Sequence, residues 1–457
     1  MQNQMVRSRR WKGRLALSVF TVSLLLSPVS PAAAEDDDDR LDAEFYWPQW
    51  RGPLGTGVAP HAKPPVEWSE IKNIRWKTTL PGSGHSTPII WGDRVFITTA
   101  IPYGDALKPR YSKAPGAHDN IPVTHHHKFV VLAVSRRTGK ILWQKNVHQE
   151  LPYEAGHYTA SLASNSPVTD GDRLFAYFGS RGLYCLNQNG KLLWKTDLGK
   201  MQTKHAHGEG SSPVLHGDTL VINWDHEGQS LVVAFDKQTG KQRWKVARDE
   251  VTSWATPIVV EHDGIPQVII SGTNRVRGYE LASGKTIWEC AGLSANIVAS
   301  PVSMDGLVYA ASSYEIRTLL AIRLDGARGN ITGTDQVVWT RRRRTPYVPS
   351  PLLYGDSLYF LRHYQGILSR VNAQTGQEQH GPFRLGGIRN VYASPVGAAN
   401  RIYITDRNGT TMVISHDDQP RVLASNRLNE SFNASAAIVG RELYLRGQRS
   451  LYCIAED

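Results

Sequence analysis

Ala234-Phe235-Asp236-Lys237-Gln238-Thr239-Gly240-Lys241-Gln242-Arg243-Trp244 is the stretch from which the fold is read. It describes the end of one strand, a tight turn and a second strand reaching a tryptophan. Asp bonds its own backbone and Gly accepts a positive φ, which is the chemistry such a turn requires. Weaker copies run through Ala133, Thr138-Gly139 and Trp143, through Asn187, Gly190 and Trp194, and through Ser283-Gly284 and Trp288. Between the copies recurs Ser/Thr-Pro, an apolar pair, Gly-Asp and an alternating strand. The prolines are Pro88, Pro167, Pro213, Pro257, Pro301, Pro351 and Pro395, with Ala436 in the eighth place. From Pro167 onward the spacing is 41–50 residues, and the longer first gap contains residues 100–128, rich in Pro, Gly and His.

Four short strands in each unit of about 40–45 residues, alternating with period two, predict propeller blades. The fold expected is all-β, an eight-bladed β-propeller of four-stranded antiparallel blades. The eighth unit ends at Cys453-Ile454 without its fourth strand, while Asn73-Ile74-Arg75-Trp76-Lys77 carries the missing Trp-Lys signature. An N-terminal strand over residues 74–78 is therefore expected in the last blade, covering its open edge. Trp76, Trp143, Trp194, Trp244, Trp288 and Trp339 then hold equivalent outer-strand places and pack between blades.

The motif at residues 234–244 resembles the tryptophan-docking motif of the pyrroloquinoline-quinone (PQQ) repeat, and the resemblance covers residues 74–455. It implies an eight-bladed propeller of one of two kinds. One kind is the quinoprotein dehydrogenases. The other is non-enzymatic, like the propeller lipoprotein of the outer-membrane β-barrel assembly machinery. Ahead of the repeats, Trp47-Pro48-Gln49-Trp50-Arg51-Gly52-Pro53 resembles the leader of exported bacterial proteins with the same repeat. The dehydrogenases carry a vicinal cysteine pair over the quinone and hold Ca²⁺ through a Glu-Asn-Asp set. This chain has no adjacent cysteines and no haem-attachment Cys-x-x-Cys-His, and no such ligand set matches its motif positions. The resemblance thus implies no cofactor, with PQQ and Ca²⁺ as the alternative.

The 457 residues are 40% hydrophobic and 20% charged, an ordinary folded composition. Arg7, Arg9, Arg10, Lys12 and Arg14 precede an apolar stretch at residues 15–26, and Ala32-Ala33-Ala34 follows it. That order predicts a secretory signal over residues 1–34, cleaved after Ala34. Arg9-Arg10 also faintly resembles a twin-arginine signal, so the Sec route is expected with the other as alternative. Removing residues 1–34 lowers the net charge from +11 to +6, too mild an excess to indicate nucleic acid. No apolar run reaches the length of a membrane span. No cysteine follows the apolar stretch, so no lipid anchor is expected, and the mature chain is expected to be a periplasmic or secreted monomer. The expected domains are the signal at 1–34, a Trp-rich leader at 35–73 and the propeller at 74–457. Cys185, Cys290 and Cys453, with no pairing pattern, are read as core thiols.

Strand order fixes which loops share a face. The loops between second and third strands lie with those that join one blade to the next, and the tight Gly-Asp and Thr-Gly turns lie opposite. The first face, here called the mouth, receives residues 100–128, His85, His157, His205, His207, Glu209, Asp225, His226, Trp254, Arg341, Arg342, Arg343, Arg344, Tyr347, His363, Asn390 and Tyr392. It is the expected binding face, for an envelope protein or polymer. His205-Ala206-His207-Gly208-Glu209 is the sharpest local constellation. In an extended segment its imidazoles and carboxylate share a side, as a Zn²⁺-type ion requires, although a polar blade-joining loop explains the same residues. His125-His126-His127 is read as a solvated loop. Arg341-Arg342-Arg343-Arg344 reads either as a basic rim for carboxylates and phosphates or as a solvated strand end. Trp254 offers a stacking surface, while Asp225-His226-Glu227 has no nucleophile beside it, so no catalytic residue is assigned.

Overall fold

A computed structural model describes residues 43–456, and the expected signal segment and its cleavage site lie outside the described residues. Eight sheets, each built on four antiparallel strands, form the ring of a β-propeller; seven follow chain order, the fourth gains a short fifth strand, and the eighth takes its outer strand from the N-terminal side. In blade three, Val214–His216, Thr219–Trp224, Ser230–Asp236 and Gln242–Arg248 run from the inside outward. The eighth sheet is built from Ala437–Val439, Glu442–Arg446 and Ser450–Ala455, and Ile74–Thr79 occupies its outer edge. There Trp76 pairs with Cys453 and Thr78 with Leu451.

The Ser/Thr-Pro repeat has a direct structural use. The backbone N–H of Thr87 donates to Ser166 Oγ at 2.9 Å, Ser166 N–H to Ser212 Oγ at 2.9 Å, and Ser212 N–H to Thr256 Oγ1 at 2.9 Å. The chain of bonds continues from Thr256 to Ser300, Ser350, Ser394 and Ser435, at 2.8 to 3.0 Å. Proline follows seven of these residues, and it brings no N–H of its own to satisfy beside the channel.

The outer strands use the tryptophans in the same blade-to-blade fashion. Trp143 Nε1 donates to Gln188 O, Trp194 Nε1 to Lys237 O, Trp244 Nε1 to Leu281 O and Trp339 Nε1 to Ala373 O, at 2.8 to 3.0 Å. Each indole lies under the turn glycine of the next blade. A Cβ on Gly240, where φ is +69°, would fall 2.6 Å from the Trp194 ring, so the turn needs glycine twice over. Trp76 does the same across the seam, donating to Arg136 O at 2.8 Å beneath Gly139.

Two expectations need correction. Trp288 does not dock on the following blade: its Nε1 donates to Gln267 Oε1 in its own sheet. Blade five has no Thr-Gly turn to offer, and residues 324–336 instead place Gly329–Asn330 beside Thr286–Ala291 as a parallel fifth strand. The first-blade insertion is also shorter than residues 100–128. Arg94–Tyr103 and His126–Ser135 extend the ladder, with Tyr103 opposite His126, so His126 and His127 are strand residues.

The leader is packed into the ring. Trp47 is wholly buried and bridges Ile90, Pro48 O accepts from Thr169 N–H, Thr56 O accepts from Leu353 N–H, and Val58 bridges Gly397. It thus crosses the innermost strands of blades one, two, six and seven. The buried Arg51 guanidinium donates to the carbonyl oxygens of Pro351 and Pro395, at 2.8 and 2.9 Å, and burial pushes its pKa down to about 9. The largest apolar cluster spans the seam and includes Trp47, Trp68, Trp76 and Tyr444.

Two substitutions check this architecture in equilibrium urea unfolding. Trp76→Ala removes a buried indole at the seam and is expected to cost about 3–5 kcal/mol; a loss under about 0.5 kcal/mol would mean the indole is a surface group. Ser300→Ala leaves the buried Thr256 N–H without its acceptor and is expected to cost about 1–3 kcal/mol.

Candidate functional site

Three loops meet over blades one to three on the mouth. Tyr158 N–H donates to Asp119 O at 2.8 Å, His157 N–H to His207 O at 3.2 Å, and Asn120 Nδ2 to His205 O at 2.9 Å. These bonds bring four imidazoles together. Ring centroids are 4.8 Å apart for His118–His205, His118–His207 and His157–His207, and 5.4 Å apart for His205–His207. His205 and Ala206 both adopt left-handed backbone, φ +55° and +54°, a costly arrangement for residues with a Cβ. Burial, then His157, His118 and His205, push the His207 imidazole down to about 4. Sequence reasoning flagged the insertion without singling out His118.

From this cluster a crescent of rings continues round the mouth. Trp254 stacks on His207 at 6.5 Å, its Nε1 donating to Gly208 O at 2.7 Å. On the other side His157 touches Tyr158 at 4.5 Å, and the Arg407 guanidinium lies over both Tyr158 and Tyr392, at 6.0 and 5.0 Å. Tyr392 stacks on Tyr364, Tyr364 meets His363, His363 stacks on Tyr347 at 4.5 Å, and Tyr347 stacks on Tyr314. Tyr158 and Tyr314 are exposed. Tyr158, Tyr314, Tyr364 and Arg407 were not singled out from the sequence, although each stands beside or opposite a residue that was.

Other expected site residues serve the framework. Glu209 is not with the imidazoles: its carboxylate accepts from Tyr153 and Ser180 at 2.6 to 2.7 Å and pairs with Arg181 at 3.2 Å. The left-handed His205 and Ala206, with Gly208 at φ +92°, break the alternation that would have kept it on their side. Asp225 is buried against Arg248 at 2.8 and 3.1 Å and Ser253 at 2.6 Å. His226 is buried, its Nδ1 accepting from the backbone N–H groups of Gln202 and Gly228. The arginine run is not a continuous basic rim. Arg341 and Arg344 turn to Glu378, Arg344 with both nitrogen–oxygen distances at 2.9 Å, Arg343 reaches the same carboxylate at 3.8 Å from an exposed position, and Arg342 is exposed. Asn390 is exposed with φ +54°, and its carbonyl accepts from Arg407 N–H.

Beneath the mouth, over blades two to four, three carboxylates are paired with guanidinium groups: Glu209 with Arg181, Asp225 with Arg248, and Glu250 with Arg277 at 2.8 Å. The wholly buried Asp406 instead accepts from the backbone N–H groups of Arg389, Asn408 and Thr410. The cavity lined by Asn165, Tyr177, Asn223, Asp225 and Trp254 is about 10 Å³, room for one water. A calcium-bound quinone does not fit these residues. Cys185, Cys290 and Cys453 are buried and free, and burial pushes their thiols up to about 12, 11 and 12. Among the described residues, no helix is long and apolar enough to cross a membrane.

The family model described as outer membrane protein assembly factor BamB matches residues 127–380 and again 227–456. Outer membrane protein assembly factor BamB of Yersinia pestis is 24% identical over 237 residues, 47% of this chain and 52% of that protein. Polyvinylalcohol dehydrogenase of a Pseudomonas species is 24% identical over 265 residues, 44% of this chain and 41% of that one. The chain thus spans about half the length of the curated relatives it matches. Among solved structures, BamB from Moraxella catarrhalis superposes with a TM-score of 0.52 at 14% identity, over 78% of this chain and 98% of that one. Quinohemoprotein alcohol dehydrogenase from Comamonas testosteroni gives 0.62 at 9% identity, over 93% and 82%. At such identities the structures share the fold alone.

His85, half-buried where the chain enters blade one, is held by Asn433 at 3.2 Å. Burial first, then Arg446 and Arg407, push its imidazole down to about 3. An unfolded imidazole titrates near about 6.5. Below that pH the unfolded chain takes up a proton that the folded chain refuses, so this residue costs stability as pH falls from about 6.5 toward about 3. His85→Gln is expected to flatten the decline of the urea midpoint between about pH 7 and 4; an unaltered slope would assign that decline to other groups.

Proposed function

The chain belongs to the family described as outer membrane protein assembly factor BamB, and from that premise we propose that it is an exported binding scaffold that holds a protein partner of the cell envelope against its mouth. In this reading residues 1–34 direct export, residues 35–73 are the leader and residues 74–457 the propeller domain. The observation that carries this reading is the crescent from Trp254 through His207, Tyr158, Tyr392 and Tyr347 to Tyr314. Rigid aromatic rings interleaved with arginine are what protein interfaces concentrate at their centres, because they bury large area at little conformational cost. The crescent lies on loops borne by a rigid ring, where partners can change without altering the fold.

A second reading, a quinone-dependent oxidoreductase, is favoured by the likeness to polyvinylalcohol dehydrogenase and to the quinohemoprotein fold. The guanidinium-paired carboxylates and the water-sized cavity speak against it. Adding PQQ and Ca²⁺ to purified protein tests it: stoichiometric uptake with dye reduction would reverse the order of the two readings.

The scaffold reading is tested by photocrosslinking in the envelope of producing cells. A photoreactive residue at Tyr158, Tyr347 or Tyr364 is expected to give discrete protein adducts, and one at Asp218 or Asp356, in turns on the opposite face, is expected to give none. Tyr347→Ala with Tyr364→Ala should weaken capture about tenfold or more, as loss of central interface anchors does. Equal adducts from both faces, or adducts to polysaccharide alone, would overturn it.

A further inference from the structure

We infer that His118, His205 and His207 form a site for a divalent transition-metal ion of the Zn²⁺ type, with His157 as a hydrogen-bonding neighbour. Three imidazoles bound to Zn²⁺ at about 2.0–2.1 Å in tetrahedral geometry have ring centroids about 5.2 Å apart. The three pairs here are separated by 4.8, 4.8 and 5.4 Å. As placed, one nitrogen from each of the three does not fall within 4.8 Å of the other two, so binding requires the rings to turn about χ2, a soft torsion, until one nitrogen of each faces a common point.

The nitrogens needed are available. His205 Nδ1 and His207 Nε2 are buried and have no hydrogen-bond partner, a costly condition that a metal ion would relieve. His118 Nδ1 lies 2.8 Å from Gly116 O, so Nδ1 carries the proton and Nε2 keeps its lone pair, the tautomer that a carbonyl acceptor imposes on metal-ligating histidines. His157 differs. Its Nδ1 accepts from Thr159 N–H at 3.2 Å, which leaves the proton on Nε2 and makes it a donor beside the site. A Cβ on Gly116 would lie 2.7 Å from His205 Nδ1, so the glycine keeps the approach to that nitrogen open.

The ligand type selects the ion. Neutral imidazoles suit Zn²⁺ and its neighbours and serve Ca²⁺ or Mg²⁺ poorly, because those ions take oxygen ligands. His118 is exposed on its loop, so the fourth coordination position opens to solvent. A different group, His262, Asp263 and Asp325, has ligand atoms within 4.8 Å of one another, but both carboxylates are exposed at a turn, as solvated acids often are.

The test uses the untagged chain from residue 35 and titrates it with ZnCl₂ by calorimetry, then with Co²⁺ by visible absorption. One equivalent of Zn²⁺ with micromolar or tighter affinity is expected, competed by neither Ca²⁺ nor Mg²⁺, together with the absorption of tetrahedral Co²⁺. His205→Ala with His207→Ala should weaken binding at least about 100-fold. His118→Ala, which removes only an exposed side chain, should do the same with an unchanged melting temperature in metal-free buffer. Changing His125, His126 and His127 to Ala, or Asp263 and Asp325 to Ala, should leave the affinity unaltered. Absence of stoichiometric Zn²⁺, binding that survives in the His118→Ala protein, or binding lost with the 125–127 run would each overturn the assignment.

Discussion

A backbone N–H beside the channel, donated to a hydroxyl in the next blade, is the bond on which this ring is built. Two residues before each inner strand stands a buried Ser or Thr, and its N–H must find an acceptor away from water. The next blade supplies it from the same position of the repeat, so each unit satisfies its predecessor and is satisfied by its successor. A neutral hydrogen bond contributes only about 1 kcal/mol net, yet leaving a buried donor unmet costs about 1–3 kcal/mol. The ring is therefore stabilised less by what each bond gains than by what any gap would lose. Proline at the following residue removes one more donor from the same crowded wall.

A ring made of such repeats has one place where the rule meets the chain ends. Thr87 Oγ1, the position that blade eight would use, is buried without a partner. Other groups hold that seam. Ile74–Thr79 contributes the outer strand, and Trp76 docks under Gly139. Glu442, nearly buried, accepts from Arg75 on that strand, from Arg136 of blade one at 2.6 Å and from Tyr444 at 2.6 Å. Arg446 reaches across to Ser86. The seam thus adds buried charge at the junction where the chain of hydroxyl bonds is missing. Breaking one member of such a set is costly because the remainder stays buried and unpaired. The leader adds a second tie, since Arg51 binds the carbonyls of two of the repeat prolines, Pro351 and Pro395.

What could be read from the sequence follows the same division. The repeat reports contacts made identically many times, so the strands, turns and tryptophan places are visible as a period. Trp288 shows where this stops: its docking partner depends on the turn of the following blade, and residues 324–336 replace that turn. The leader's role was legible only as tryptophans, because Arg51 meets Pro351 and Pro395 across 300 and 344 residues of chain.

The mouth was legible as a face and not as a site. Strand order alone places His157, His205 and Tyr347 on one side, since it requires no side-chain geometry. Convergence depends instead on how each loop bends. An extended reading of residues 205–209 puts Glu209 beside the two histidines, and two consecutive left-handed residues send it to Arg181. The same bend turns His205 and His207 toward His118, on a loop that joins no blades and follows no repeat. Strain held at His205 and Ala206 by bonds from Asn120 and Thr203 is thus what separates a structural carboxylate from the imidazole cluster. Repetition builds the platform, and the departures from it give this mouth its own chemistry.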